Sequence, residues 1–311
     1  MKPNVWKHSL ILLAGLSVWA GCEPEKEEDV VEPIKPYVYD PNRILAENEI
    51  KEYIDEYEKL VFNYDSEGRL IEVDKTDPDD EDNYAIYTLT YEDEKLSSVK
   101  RVSYDVYNGT DENNNPTTRT YRYETTKNFF YNQKQLVDYT LETYQSYFND
   151  TKQDNDSYTK TIYSYSALNE LTKLTNQYGR SLETLKDESY QELSWGNGNL
   201  AEQKWFDLMD DGTAEMDEVR EYSKFDNKFN PLSVLTVLDE FYIDDIRFAS
   251  QHNPTFIKDL EADDNGTMTH YLDISIDITY DSQGRPTNWT YNIKDIEENE
   301  TFTESARVTY K

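Results

Sequence analysis

The chain has 311 residues, of which 64 are acidic and 31 basic, and its formal net charge is −33. Such a charge repels phosphate backbones and anionic lipid headgroups, so it argues against nucleic-acid binding and direct headgroup binding. The single cysteine excludes an intramolecular disulfide, and stability must come from a hydrophobic core. Only 36% of the residues are apolar, and the 27 tyrosines favour a thin sheet protein over a packed α/β domain.

The first segment predicts export. A short basic head precedes an apolar run, residues 11–20, that is too short to span a bilayer and is typical of a secretory signal. The small residues Ala20 and Gly21 then lead directly into Cys22, the only cysteine. A small pair followed by cysteine is the pattern at which a lipoprotein signal is cleaved and the thiol is acylated. We therefore predict lipidation of Cys22.

The signal departs from the usual lipoprotein pattern at one place, because Trp19 stands where Leu is usual. Ordinary secretion with cleavage near Ala20 is the alternative. We predict a lipoprotein signal peptide over residues 1–21 and an acidic, proline-dotted tether over residues 22–41. The acidic run behind Cys22 resembles the export signal of Bacteroidetes lipoproteins. That resemblance implies a lipid-anchored protein of the outer membrane, exposed at the cell surface.

Residues 42–311 are predicted to form a single domain that opens with one short helix. Four apolar residues fall on one helical stripe: Ile50, Tyr53, Ile54 and Tyr57. Asn42 is placed as the N-cap, so the pattern predicts a helix from Asn42 to about Tyr57.

Beyond Glu58 the apolar period changes to two, which is typical of strands. The phrase Tyr-Asp-Ser-Gln-Gly-Arg at 280–285 lies between two such segments, and Tyr-Asp-Ser-Glu-Gly-Arg at 64–69 repeats it. Asp opens a type I turn and Gly closes it, so we predict a hairpin with a bulge and positive φ at Gly68 and Gly284. Less complete copies begin at aromatic residues: Tyr91, Tyr131, Trp195 and Phe225, with Tyr165 a weaker member.

Copies of this phrase recur at spacings near 30 residues, which accommodate two strands and two turns. The pattern predicts an all-β fold, an up-and-down antiparallel meander of about a dozen strands or more. We expect a curved sheet or an open, soluble, barrel-like sheet. A membrane-spanning barrel needs apolar residues at alternate positions, whereas residues 119–126 and 157–166 offer mainly tyrosine and threonine. A short helix is placed near residues 239–249.

Three segments carry a family resemblance. They are Asn-Pro-Leu at 230–232, Ser-Gln-His-Asn-Pro-Thr-Phe-Ile at 250–257, and Ile-Thr-Tyr-Asp-Ser-Gln-Gly-Arg-Pro at 278–286. Behind a lipoprotein signal, they resemble a Bacteroidales lipoprotein domain of unknown function with a porin-like β fold. The turn phrases also resemble the tyrosine-aspartate repeats of Rhs-type secreted proteins. The resemblance implies a fold and a cellular location, and it implies no active site.

The sequence offers few residues that could act in catalysis. Only His252 and His270 remain after cleavage of the signal, and we interpret both as structural. The sequence contains no glycine-rich phosphate loop and no Cys/His metal pattern. Paired carboxylates could support glycoside hydrolysis, but with 64 acids such pairs arise by chance. A carbohydrate-active hydrolase is therefore the alternative function.

Two binding hypotheses remain. Residues 207–218 match a twelve-residue calcium loop at positions 1, 5, 6 and 12, but position 3 is Met209, and a simple hairpin tip explains the segment. The same ambiguity applies to the acidic segments 77–82 and 263–266. Exposed aromatic rings could bind sugars, and the candidates are Trp195, Trp205 and Trp289. For these residues we prefer a role in cross-strand packing.

The sequence therefore predicts a non-enzymatic β-sheet lipoprotein of the cell envelope that binds or displays something. We predict no catalytic, cofactor or metal site, and the only site residue is Cys22. The membrane is expected as a partner through the lipid anchor alone, with a glycan or protein as possible ligand, and the protein is expected to be a monomer.

Overall fold

A computed structural model describes residues 38–311, apart from residues 79, 81, 111–115, 239–249 and 264–265. These residues belong to one compact unit, Lys35–Lys311. The predicted signal peptide, Cys22, nearly all of the tether and the helix placed near residues 239–249 lie outside the described residues. Within the described residues, no helix is both long enough and apolar enough to cross a membrane.

The described residues contain two short helices, α1 (Pro41–Glu47) and α2 (Leu235–Leu238), and seventeen strands. The strands are β1 (Ile50–Ile54), β2 (Lys59–Tyr64), β3 (Leu70–Thr76), β4 (Tyr84–Glu92), β5 (Lys95–Thr110), β6 (Pro116–Tyr131), β7 (Val137–Phe148), β8 (Thr151–Lys152), β9 (Ser157–Tyr165), β10 (Leu171–Gly179), β11 (Lys186–Gly196), β12 (Asn199–Leu208), β13 (Ala214–Phe229), β14 (His252–Ala262), β15 (Met268–Tyr280), β16 (Pro286–Asp295) and β17 (Thr301–Tyr310). Short 3-10 turns occupy Leu182–Thr184 and Pro231–Val234.

The strands form a closed antiparallel barrel. Each strand pairs with the strands before and after it, except that the two-residue β8 pairs with β7, and β7 continues directly to β9. The ring is closed by β1 and β17, where Ile50 lies opposite Tyr310 and Tyr53 opposite Val308. The all-β, up-and-down prediction is confirmed, but the expectation of an open sheet is wrong. Closure gives partners to the backbone groups that two free edges would leave unpaired.

The alternation of burial identifies the inner face of the barrel. In β4, Ala85, Tyr87 and Leu89 are buried, whereas Thr88 and Thr90, which follow Tyr87 and Leu89, are exposed. A buried side chain in a single-layer ring must point into the lumen, because no second layer covers the outside. Buried residues from strands all around the ring form one hydrophobic cluster. The hydrophobic core is therefore the lumen itself.

Two helical segments contribute to this core. In α1, the side chain of Asp40 caps the helix by accepting a hydrogen bond from the Asn42 N–H at 3.0 Å, and Ile44 and Leu45 are 3% exposed. The second segment is the turn Pro231–Val234 running into α2, and it packs against α1. We call α1 and residues 231–238 together the plug.

The plug closes one end of the lumen. The Asn42 side chain accepts a hydrogen bond from the backbone N–H of Leu96 at 2.7 Å, which fixes α1 to the start of β5. Tyr39, directly before α1, stacks on Tyr163 of β9 with ring centroids 5.8 Å apart. Its hydroxyl lies 3.4 Å from the carbonyl oxygen of Thr236 in the plug. The end of the barrel that carries the tight hairpin turns is thus filled with apolar side chains.

The predicted helix from Asn42 to Tyr57 is too long. The helix ends at Glu47, and Ile50–Ile54 form β1. A register shift between Ile50 and Glu52 marks a bulge, which places the inward residues Ile50 and Tyr53 three positions apart. A bulged strand therefore produced the spacing that is typical of a helix.

The predicted hairpin turns are confirmed at both full copies of the phrase. Gly68 has φ 83° and Gly284 has φ 78°. In the first copy the Asp65 carboxylate accepts hydrogen bonds from the N–H groups of Glu67 and Arg69, both at 2.9 Å, and Nε of Arg69 donates to the same carboxylate at 2.8 Å. Asp281 makes the same three contacts in the second copy.

The aromatic residue of the phrase joins neighbouring hairpins. Six aromatic side chains each donate a hydrogen bond to the backbone carbonyl of the residue at or next to the start of the preceding strand, and we call them the rim aromatics. The pairs are Tyr64 with Ile50, Tyr91 with Leu70, Tyr131 with Leu96, Tyr165 with Val137, Trp195 with Leu171, and Tyr310 with Pro286. The repeat therefore encodes the closed rim at the plugged end.

The copy at Phe225 does not form a tight hairpin, which corrects the prediction for that segment. The chain instead leaves β13 through the second part of the plug before it returns as β14. Phe225 has no hydroxyl to donate, and Tyr280 at the next step donates to the Asp226 carboxylate at 2.5 Å. The carboxylate of Asp226 also accepts from the Asn253 side chain at 2.9 Å, which holds the start of β14 in place.

Candidate functional site

The lumen changes from apolar at the plugged end to polar at the other end. A cavity of about 350 Å³ lies in the polar half of the lumen. It is lined by Tyr57, Lys75, Asp77, Asn83, Tyr84, Ala85, Arg101, Ser103, Tyr104, Asp105, Tyr123, Thr125 and Tyr144. We call it the lumen cavity. Its mouth lies among loop residues such as Asp77 and Asn83, at the end of the barrel opposite the plug.

Neighbouring strands place the polar lining on one wall. Arg101 of β5 lies opposite Thr125 of β6, which lies opposite Tyr144 of β7, and directly paired residues share a face. One step nearer the open end, Ser103 lies opposite Tyr123. The rings of Tyr123 and Tyr144 stack with centroids 6.3 Å apart. The wall thus presents aromatic faces beside hydroxyl and guanidinium groups.

Burial controls the chemistry of this wall. It raises the pKa of Tyr123, and the nearby carboxylate of Asp105 adds to the effect. Burial also raises the pKa of Tyr144, although Arg101 opposes this. Both phenols are therefore neutral hydrogen-bonding groups at physiological pH. Lys75 forms an ion pair with Glu58.

Tyr57 separates the lumen cavity from a second one. The second cavity, of about 150 Å³, is lined by residues of β1, β15, β16 and β17 and shares Tyr57 with the first. The Tyr57 side chain is 68% exposed, and its hydroxyl lies 3.4 Å from the carboxylate of Glu304 on β17. The turn between β1 and β2 therefore bends over the open end of the lumen.

A buried ion cluster lies on the opposite wall. The Arg220 guanidinium donates to both carboxylate oxygens of Asp259, at 2.6 and 3.0 Å, and to Glu218 at 3.1 Å. Asp259 is 0% exposed. Burial opposes the charge of the guanidinium, but Tyr222 and the two carboxylates outweigh it and raise the pKa of Arg220.

This cluster bears on the hydrolase alternative. A glycosidase needs one carboxyl group that is protonated at working pH to act as general acid. Asp259 and Glu218 are instead both hydrogen-bonded to the guanidinium of Arg220. The cluster therefore forms an ion-paired part of the barrel wall.

The histidines interact with neighbouring side chains. The His252 ring contacts the Asn199 side chain at 3.2 Å, and its backbone N–H donates to the same side chain at 2.9 Å. The His270 ring contacts the Asp273 carboxylate at 2.8 Å. These partners hold β14 and β15 in place.

The three candidate tryptophans occupy different positions. Trp195 is a rim aromatic, and Trp289 is 2% exposed beneath the plug, in contact with the core. Trp205 faces the lumen with its ring 5.6 Å from the Arg220 guanidinium. None of the three lines the lumen cavity.

The calcium-like segment is a hairpin between β12 and β13. Gly212 has φ 82°, and the Asp211 carboxylate accepts hydrogen bonds from the N–H and hydroxyl of Thr213 at 2.9 and 2.6 Å. These hydrogen bonds lower the pKa of Asp211. The carboxylate of Glu218 is turned to Arg220. Within the described residues, no group of three or more His, Cys, Asp or Glu side chains is placed to hold a metal ion.

Sequence reasoning missed the lining of the lumen cavity. Arg101, Tyr123 and Tyr144 lie within β5, β6 and β7, and none of them was among the predicted site residues. The signal that could have identified them is the alternation Arg101, Ser103, Asp105 on the same face as the apolar Val99. The predicted site residue, Cys22, lies outside the described residues.

No protein-family model matches the sequence, and no curated protein matches it. Among solved structures, a porin-like protein from Bacteroides uniformis aligns with a TM-score of 0.46 at 11% identity, over 84% of this chain and 96% of that chain. A porin-like protein from Bacteroides vulgatus aligns with a TM-score of 0.37 at 9% identity, over 85% and 99% of the two chains. The assignment of a closed barrel rests on the strand pairing described above.

Proposed function

We propose that this protein is a non-enzymatic, lipid-anchored β-barrel of the outer membrane that binds a ligand in the open half of its lumen. The observation that carries this proposal is the asymmetry of the lumen. One end is filled by the plug, in which Leu232, Val234 and Val237 are at most 1% exposed, so the barrel is not a through-channel. The other end holds the lumen cavity with its tyrosine, hydroxyl and guanidinium groups. Concave sites that combine aromatic side chains with placed polar groups are typical ligand sites.

The outer face supports a barrel that stands in water. Lys100 and Glu124, whose strand neighbours Arg101 and Thr125 face inward, form an outward ion pair at 3.0 Å. Lys258 and Glu221 form another at 3.6 Å. A lysine facing lipid at mid-bilayer costs about 2–4 kcal/mol, and such residues occur at several places around the ring. This distribution favours attachment by an anchor over insertion of the barrel.

The anchor is proposed from the sequence. The apolar run 11–20, the small pair before Cys22 and the absence of any other cysteine in the sequence support acylation of that thiol. Acyl chains would hold the protein firmly, since each buried methylene contributes about 0.8 kcal/mol. The acidic residues that follow would keep the barrel clear of anionic headgroups.

Single-cysteine accessibility tests the proposed lumen, because Cys22→Ala leaves no native thiol. In that background, Asp105→Cys at the lumen cavity, where the native side chain is partly exposed, should react with a small charged thiol reagent. Val237→Cys in the plug, which is nearly isosteric, should stay unreactive until the protein unfolds. Reaction of both thiols at similar rates in the folded protein would refute a lumen that is open at one end and closed at the other. Ion conductance of the purified protein in a planar bilayer would likewise refute the plugged barrel.

A further inference from the structure

We infer that the lumen cavity binds a neutral, polyhydroxylated ligand the size of a mono- or disaccharide. This inference rests on the proposed function and adds the chemical class of the ligand. The volume of about 350 Å³ is near the lower end of the range for small-molecule sites. It suits one or two sugar rings and excludes a folded domain or a long peptide.

The aromatic residues of the cavity provide flat apolar faces. Tyr123 and Tyr144 stack on one wall, and each is partly exposed to the lumen. Tyr57 lies at the mouth with most of its ring exposed. A pyranose ring has one face of C–H groups, which packs on such a ring and leaves the hydroxyl groups at the edge. An anion gains nothing from these faces, because the face of an aromatic ring carries partial negative charge.

The polar residues of the cavity match the hydroxyl edge. Arg101 provides donors and Asp105 provides acceptors, and the largely buried hydroxyl groups of Ser103 and Thr125 line the wall beside them. A sugar hydroxyl both donates and accepts, so donors and acceptors placed side by side can satisfy it at both ends. Polar groups left without a partner on binding would cost affinity, which gives this arrangement its selectivity.

The balance of charge favours a neutral ligand. Two cationic residues, Lys75 and Arg101, and two carboxylates, Asp77 and Asp105, line the cavity, whereas the whole chain has a net charge of −33. The field of the whole protein repels anions. A cation would find more strongly acidic surface elsewhere on the chain, so the cavity offers it no particular advantage.

The first test uses the full chain carrying Cys22→Ala on an array of immobilised neutral glycans, together with sialylated and sulfated ones. Binding of at least one neutral glycan is expected. The best free mono- or disaccharide is then titrated by calorimetry. Tyr144→Ala should weaken that binding about tenfold or more, since it removes a stacking face. Tyr147→Ala, on the outer face of the same strand, is the matched control and should stay within about twofold.

Asp105→Asn provides a variant that keeps the shape of the wall and removes one carboxylate acceptor. It should also weaken sugar binding, about fivefold, with unchanged thermal stability within about 1 °C. Binding of only the anionic glycans, or of none, would overturn the inference. Equal loss in Tyr144→Ala and Tyr147→Ala would overturn it as well, because the sugar would then bind elsewhere. If Asp105→Cys reacts as expected but no neutral glycan binds, the ligand class is wrong and the open lumen remains. If Asp105→Cys does not react, the proposed function itself fails.

Discussion

The rim aromatics allow a direct test of what the sequence repeat does. Tyr91, Tyr131 and Tyr165 donate to the carbonyls of Leu70, Leu96 and Val137 at 2.7, 2.8 and 2.9 Å. Each of these hydrogen bonds joins one hairpin to the hairpin before it. Replacing the three tyrosines by phenylalanine removes only hydroxyl groups, and it leaves the rings against the core.

The expected loss follows from the burial of the acceptors. Leu70, Leu96 and Val137 are 0% exposed, so water does not easily replace the missing donor. One such hydrogen bond contributes about 1 kcal/mol to the free energy of unfolding. The three bonds share no atom, so the triple variant should lose about 3 kcal/mol. In a chain of this size that corresponds to a fall in Tm of roughly 6–10 °C.

Urea unfolding followed by circular dichroism measures this loss, with Tyr84→Phe as the matched control. Tyr84 is 36% exposed and stacks on Tyr104 at 4.8 Å, so its ring contact survives the loss of its hydroxyl. The control should change the free energy of unfolding by less than about 0.5 kcal/mol. A triple variant as stable as the wild type, or a control that loses as much per hydroxyl, would show that the rim hydrogen bonds do not stabilise the barrel.

Four further predictions follow from individual sites. Glu94, in the turn between β4 and β5, has φ 66°, and Gly198 has φ 76° at the equivalent position between β11 and β12. In urea titrations, Glu94→Gly should raise the free energy of unfolding by about 1 kcal/mol, and Gly198→Ala should lower it by about as much. Asp259→Ala should lower the free energy of unfolding by about 3–5 kcal/mol, because Arg220 is then buried without its carboxylate. The double variant Asp259→Leu with Arg220→Met should lose much less, and equal losses would refute the pairing. Burial raises the pKa of Tyr163 from 10.0 to about 12. The raised pKa contributes on the order of 3 kcal/mol to the free energy of unfolding, and this contribution is complete below pH 10 and is lost as the pH rises to 12. Tyr163→Phe should flatten that alkaline loss in a pH series of Tm values. Cys22→Ala should move the protein from the membrane fraction to the soluble fraction, and acyl mass should be found on the wild type but not on the variant; unchanged partition would refute the anchor.

Local patterns predicted the strands and turns well because both depend on neighbouring residues. The period of two identified the strands, and the Asp and Gly of the phrase determined the turns at Gly68 and Gly284. The same reasoning failed at β1, where the bulge after Ile50 brought Tyr53 to the same face at a spacing of three. A bulge changes the period without changing the composition, so no local count distinguishes it from a helical turn.

Closure of the barrel was not predicted because it depends on a contact across nearly the whole described chain. Ile50 pairs with Tyr310, and the sequence around either residue does not indicate that the two strands are neighbours. Yet the repeat already contained an indication. Every hairpin with a rim aromatic binds the hairpin before it, and Tyr310 continues the series by binding Pro286 of the last one. When each repeat unit forms a hydrogen bond with the unit before it, the first unit lacks such a neighbour unless the last unit packs against it.

The same closure explains why the candidate site was not recognised in the sequence. In an open sheet with one wet face, Arg101 and Asp105 would be assigned to solvent, and Val99 would have to lie on the other face or be an exception. In a barrel that is plugged at one end, one face can be apolar near the plug and polar near the mouth, so all three residues lie inward on β5. Along β5 the inward residues change from the apolar Val99 to the polar Arg101, Ser103 and Asp105. This change follows from a lumen that is filled by the plug at one end and open at the other.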